Sequence, residues 1–454
     1  MAWDVRAGGF AHARDLVHGA VELEELANGW VRPWRFSAAQ RRALASCLAW
    51  YPGIYRQMAR CTAGMRLEFE TDATQVLVEV RADAEPRATR NVLRGMKPEV
   101  GDAAGTHDGI SFDVDGKHQG RVALAADVSD VPGEPGPGIV LDLGDFKTRG
   151  NLVQLPGFGD AHRVRVWMPA LRGCELGRVV GNGTFVRPVS GPAPDVLLVL
   201  GDSVAQGFTT DDPALAWPSL VADELGCDLV NQSVGAQVFQ ESSLAKLPDD
   251  LAPSLVIVAL GANYRYGRCN ERVVGREIAG YLARVDELWP SVPVLVMVPA
   301  AQPGREPVAG SCFDRVGELI DAAAARVRSR RMAGDAPALL VVRTPALDEA
   351  QLSDVDGHPT AAGAAALARF VLGELPKLSC RCLRETGRYG RCGACAQTGA
   401  KSPGANSSQN GKPSQAGAKR SHPGETTARP KPAKPAVEET PVGQTISMFT
   451  LLDE

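Results

Sequence analysis

Residues 196–208 read VLLVLGDSVAQGF: five apolar residues run into Gly201-Asp202-Ser203, and there the apolar pattern stops. An unbroken apolar run suits a strand buried on both faces. Ending it in a serine suits either a tight turn or a nucleophile at the rim of a parallel sheet. The sequence downstream bears on the choice. CDLVNQSV (227–234), SLVIVALG (254–261), VPVLVMVP (292–299) and ALLVVRT (338–344) are further short apolar runs. Helical stretches separate them: AWPSLVADELG, NERVVGREIAGYLARVDELW and FDRVGELIDAAAARVRSRR. Buried strands alternating with helices predict an α/β domain over 191–378, built on a doubly wound parallel sheet. Sites in such sheets lie beyond the carboxyl ends of the strands, where Ser203 falls.

Upstream, over 65–190, the period changes to two. MRLEFE, QVLVEV, GISFDVDG, GIVLDLG, HRVRVWM and TFVRP alternate apolar and polar residues between Gly, Asp and Pro punctuation. Several such strands predict an antiparallel β-sandwich. Residues 1–64 read as a helical and extended segment, with Ser37 as an N-cap ahead of Leu44, Leu48 and Trp50 at helical spacing. Residues 398–454, rich in Gly, Pro, Ser, Lys and Ala, bury too little to offset ordering entropy and read as a disordered tail. Its end, GQTISMFTLLDE, regains apolar residues and suits docking to a protein partner or back onto the chain.

At 454 residues and 44% hydrophobic, the chain can build a sizeable core. A formal net charge of −4 supplies no polybasic footprint for nucleic acid or a membrane surface. The opening MAWDVRAGGFAHARDLVHGAVELEEL lacks a basic region followed by an apolar one, so a cytoplasmic location is expected. Six of the ten cysteines are scattered, as reduced thiols would be. The other four, Cys380, Cys382, Cys392 and Cys395, form CxC then CxxC over 379–397. Four thiolates closing a short loop suit a structural zinc; the alternative is a set of exposed, oxidisable thiols.

A serine esterase needs a base, a group that orients the base, and donors for an oxyanion. Of seven histidines only His358 and His422 follow Ser203, and His422 lies in the tail. His358, in LSDVDGHPTAAG, follows the last strand and precedes a helix, with Asp354 and Asp356 close enough in sequence to orient it. Gly235 and Asn263 stand at two further strand ends and, with the Ser203 amide, are candidate oxyanion donors. Trp167, Trp217, Tyr264 and Tyr266 are aromatics that could stack on a sugar.

GDSVAQG, NQSVGAQ, LGANYRYG and DGHPTAAG resemble, in order, the four blocks of the SGNH (GDSL-type) hydrolases. The resemblance implies a flavodoxin-like sheet, Ser203 as nucleophile, Gly235 and Asn263 in the oxyanion hole, and His358 as base. The family's acid usually sits three residues before the histidine, where this chain has Val355; Asp356 is favoured over Asp354. Tyr264 replaces the aspartate that usually follows the asparagine. The preceding sandwich is similar to that of two-domain carbohydrate esterases. The expectation is an esterase acting on short acyl esters, O-acetyl above all, of a small molecule or oligosaccharide, with no cofactor for catalysis. Two alternatives stay open: a lipid or thioester hydrolase on the same site, and a non-catalytic protein acting through the cysteine-rich segment and tail.

Overall fold

The computed structural model describes residues 8–46, 52–83, 109–123, 138–143, 161–191, 194–302, 306–333, 338–353 and 357–378. The N-terminal half is built from β1 (Phe10–His12), β2 (Val17–His18), β3 (Glu22–Glu25), β4 (Val31–Trp34), α1 (Ala38–Ser46), α2 (Pro52–Met58), β5 (Arg66–Thr71), β6 (Gln75–Ala82), β7 (Gly109–Val114), β8 (Lys117–Ala123), β9 (Gly138–Asp142), β10 (His162–Trp167), β11 (Cys174–Gly181) and β12 (Val186–Pro188). One antiparallel sheet runs β3-β4-β11-β6-β9, with β1 also on β11; the other runs β12-β5-β10-β7-β8, with β2 also on β5. Leu67 and Phe69 of β5, Val164 and Val166 of β10, and Val76, Val78 and Val80 of β6 meet in one buried core. The period of two thus sends alternate residues inward, and each fully buried aliphatic or Phe side chain stabilises by about 1.5–3 kcal/mol.

The described part of the first 64 residues holds both extended and helical elements. Residues 10–34 add four strands to the sandwich, broken by single 3₁₀ turns at Ala13–Asp15 and Ala27–Gly29, and α1 and α2 follow. Strands of two to four residues are too short to show a period. The Ser37 cap is present: its Oγ accepts the Gln40 amide at 3.3 Å.

The second half comprises β13 (Val196–Gly201), α3 (Ser203–Gln206), α4 (Trp217–Leu225), β14 (Asp228–Asn231), β15 (Leu255–Ala259), α5 (Glu271–Leu288), β16 (Val294–Val298), α6 (Phe313–Ala333), β17 (Leu339–Arg343) and α7 (Ala361–Glu374). The five strands are parallel, in the order β14-β13-β15-β16-β17. Leu198 and Leu200 join Ile278, Leu282, Val316 and Ile320 of α5 and α6 on one face. Leu197 and Val199 join Trp217, Val221, Leu367 and Val371 of α4 and α7 on the other. Burial on both sides explains why these strands carry no polar alternation. The order reverses at β13, so the crevice beyond β13 and β15 is where such a sheet receives ligands. Among the described residues, no helix is long and apolar enough to cross a membrane.

Charged bridges fasten the sandwich to the α/β domain. Asp228 receives His18 Nδ1 at 2.9 Å and Arg66 Nη2 at 2.8 Å, and Arg165 joins Asp113 of β7 to Asp223 of α4. Arg35 is more unusual. Wholly buried, it donates to the carbonyls of Cys61 (2.6 Å), Met58 (2.6 Å), Asn231 (2.6 Å) and Ser233 (2.7 Å). No carboxylate pairs with it among the described residues, and desolvation lowers its pKa to about 10.

Candidate active site

β13 ends at Gly201, where a Cβ would lie 2.6 Å from the Ala205 Cβ and 2.8 Å from Ser233 Oγ. Only glycine lets the strand turn this tightly into α3. Asp202 caps that helix, its Oδ1 accepting the Val204 amide at 3.1 Å. Its carboxylate also accepts the Ala262 amide, linking the turn to the end of β15. Burial nevertheless dominates and pushes the Asp202 pKa up to about 7, against the pull of these donors. Helix α3 stops after one turn at Gly207, whose φ of +101° favours glycine. Ser203 therefore occupies the first helical position, where the backbone N–H has no intrahelical acceptor.

His358 Nε2 lies 2.7 Å from Ser203 Oγ, although the two are 155 residues apart. Both residues are only 4% exposed. Three contacts hold the imidazole and its loop. Phe208 stacks on the ring with centroids 5.6 Å apart. Gln302 Nε2 donates to the Gly357 carbonyl at 2.8 Å, and Thr209 Oγ1 donates to the Pro359 carbonyl at 3.1 Å. Thr209 makes that bond from φ +61°, a strained value for a β-branched residue. Asp354 and Asp356 lie outside the described residues.

The donor side is built from two loops. Gly261 has φ +117° and starts the turn that carries Asn263, which is 2% exposed. One hydrogen of the Asn263 amide goes to the Gln237 carbonyl (2.9 Å). The Gly235 N–H donates to Gln206 Oε1 at 2.8 Å, so its single donor is taken by the nucleophile's own helix. The next residue, Ala236, holds φ +65°, and its N–H has no acceptor among the described residues. A left-handed residue within a turn can make successive amides converge on one point.

Of the aromatics read as sugar platforms, Trp167 (3% exposed), Trp217 (1%) and Tyr264 (0%) are core residues, because flanking strands and helices cover them. Tyr266 alone is half-buried. Cys380, Cys382, Cys392 and Cys395 lie outside the described residues, as does the C-terminal apolar motif. Sequence reasoning missed Gln206, Thr209, Ala236 and Gln302. Gln206, three residues after Ser203, had the one positional clue, a polar residue on a buried helix.

A short helix bearing a serine at the switch point of a 2-1-3-4-5 sheet, with a histidine returned to it from beyond the last strand, is an SGNH-like arrangement. Residues 199–366 match the model of the GDSL-like Lipase/Acylhydrolase family. The chain thus carries a GDSL-like acylhydrolase domain. The salicylyl-acyltransferase SsfX3 of a tetracycline biosynthetic pathway is similar over 83% of this chain and 98% of its own, at 19% identity and TM-score 0.60. A family two carbohydrate esterase from Cellvibrio japonicus is similar over 82% and 98%, at 14% identity and TM-score 0.53. The acetyl xylan esterase Est2A from the rumen bacterium Butyrivibrio proteoclasticus is similar over 82% and 98%, at 10% identity and TM-score 0.52. These likenesses span both domains and concern the fold. No curated protein matches the sequence.

Proposed function

We propose that the protein hydrolyses a short acyl ester, O-acetyl on a carbohydrate above all, through an acyl-enzyme on Ser203. The observation that carries this is the 2.7 Å approach of His358 Nε2 to Ser203 Oγ. With the imidazole neutral, Oγ–H donates to Nε2. As Oγ attacks the ester carbonyl, its proton passes to Nε2, which returns it to the departing alcohol. Water then attacks the acyl-enzyme, giving its proton to His358, and collapse frees the carboxylic acid and restores Ser203. The oxyanion receives the Ser203 N–H, the second hydrogen of the Asn263 amide and the Ala236 N–H in place of Gly235's. Asp356 or Asp354 orients the imidazole.

The carbohydrate class is supported by the two-domain fold shared with carbohydrate esterases. A second reading, a longer acyl chain, draws on an apolar cavity lined by Trp217, Met297, Leu347, Leu352 and Leu367, beside Asp202 and Gly357. Hydrolysis of 4-nitrophenyl acetate against octanoate by wild type, Ser203→Ala, Asp354→Asn and Asp356→Asn tests the scheme. Acetate preference, lost with Ser203 and sharply reduced by one Asp variant, supports it. Octanoate preference selects the lipid reading, and activity in Ser203→Ala refutes the mechanism. A structural zinc on the four C-terminal cysteines, a protein partner for the tail and a cytoplasmic location belong to the same reading. The free thiols of Cys227, Cys269 and Cys312 support the last.

A further inference from the structure

The loop that would hold the oxyanion is fastened by the N-terminal segment, outside the hydrolase domain. Tyr55, on α2, is wholly buried. Its hydroxyl donates to the Ala236 carbonyl at 3.4 Å and accepts the Val238 amide at 3.1 Å, closing a bridge across three consecutive residues. On one side of Ala236, Gly235 is tied to Gln206, and the Gln206 amide group is itself fixed by donating to the Ala170 carbonyl at 3.1 Å. On the other side, Gln237 is tied to Asn263. Ala236 thus sits between a link to the serine's helix and a link to the second donor. It keeps a left-handed φ of +65°, which costs a non-glycine residue about 1–2 kcal/mol. Such a conformation persists only where its surroundings over-determine it. Nothing within residues 231–238 supplies the Ala236 carbonyl with a donor; Tyr55 does.

The geometry points to Tyr55 as a positioning residue for the esterase: its hydroxyl holds the Ala236–Gln237 peptide by its carbonyl and so helps keep Ala236 left-handed, the conformation in which the Ala236 N–H, part of the preceding peptide, stays unbonded and available to the oxyanion. The N-terminal segment is then part of the catalytic apparatus, and not merely a platform beside it. This rests on the hydrolytic reading of Ser203. Without the hydroxyl the loop keeps its packing, since Tyr55, Ala236, Phe208 and Val234 share an apolar cluster. What it loses is the tie on the Ala236 carbonyl, leaving that peptide only the Gln237 N–H bond to the Val234 carbonyl at 3.1 Å; the loosening reaches the adjoining Ala236 N–H and is felt when the oxyanion forms and not when substrate binds.

The test compares wild type with Tyr55→Phe in the full chain. We expect kcat to fall by about 10- to 100-fold with KM nearly unchanged, short of the 10²–10³ lost with a whole donor. Affinity for a boronic acid, whose tetrahedral adduct mimics the intermediate, should fall by the same factor, and product affinity should hold. In a double-mutant cycle with Asn263→Ala the two losses should be less than additive, because both act on one oxyanion. An unchanged kcat, a loss confined to KM, or full additivity would overturn the assignment. Stoichiometric labelling of Ser203 by a fluorophosphonate in wild type separates the cases. With labelling and an indifferent Tyr55→Phe, only the Tyr55 role fails; without labelling, the esterase reading itself fails.

Discussion

Arg35 is a buried cation whose partners are all neutral, and replacing it tests how the two halves of the chain are joined. Consider Arg35→Met, which keeps much of the side-chain volume. Four buried carbonyls lose the guanidinium as donor, and that of Met58 keeps the Cys61 amide at 3.1 Å. Each unsatisfied group costs about 1–3 kcal/mol, so for the other three, at about 1.5–2 kcal/mol each, the loss is about 4–6 kcal/mol. Against this, the guanidinium is no longer desolvated. The fall of its pKa from 12.5 to about 10 corresponds to a relief of about 3 kcal/mol. The net expectation is destabilisation by about 1–3 kcal/mol, read as a drop in the urea midpoint followed by far-UV circular dichroism and tryptophan fluorescence. Because two of the carbonyls, those of Asn231 at the end of β14 and Ser233 in the loop after it, lead into Gly235, esterase activity should decline before global unfolding. Arg35→Lys should not rescue, since one ammonium cannot span the same set of carbonyls. A Met variant as stable as wild type, with activity and unfolding still coincident, would refute the reasoning.

Three other outcomes follow from the site. Asn263→Ala should lower kcat by about 10²–10³ with a smaller effect on KM, measured with a nitrophenyl ester. Thr209→Val keeps the β-branch but removes the donor to the Pro359 carbonyl; kcat should drop by about 10-fold while Thr209→Ser stays near wild type, and equal rates would remove Thr209 from the account. Asp202 concerns pH. Its folded pKa of about 7 lies above the ordinary 3.8, so the folded state binds the proton more tightly and that stabilisation is lost as pH rises from 3.8 through 7. Asp202→Asn cannot titrate, so its stability relative to wild type should grow over that range by about 4 kcal/mol, checked by urea unfolding at several pH values. A constant difference would show that the carboxyl is not desolvated.

Much of the α/β domain was legible because its strands are continuous apolar runs, as burial on both faces requires, and because Ser203 and His358 both follow strand ends. The sandwich was readable only where alternation survived. β11 escaped because a bulge between Leu176 and Val179 breaks its period, and Gly177 within it admits no Cβ beside Glu79 and Trp30. β1 to β4 escaped through brevity. In the site, spacing could nominate Gly235, but which amide stays unbonded depends on where Gln206 points, a matter of packing between α3 and the loop at Ala170. Arg35 and Tyr55 were invisible as functional residues for the same reason: their partners near Gly235 lie 181 to 198 positions away and no local pattern encodes the encounter.

Hydrolysis turns on one reacting pair, Ser203 and His358. Treat wild type, Ser203→Ala and His358→Ala with a fluorophosphonate and follow the intact mass over time. The expected result is a single adduct per chain in wild type, mapped to the peptide containing Ser203, none in Ser203→Ala, and labelling slowed by about 10³ or more in His358→Ala. An adduct on another residue, or undiminished labelling without His358, would contradict it.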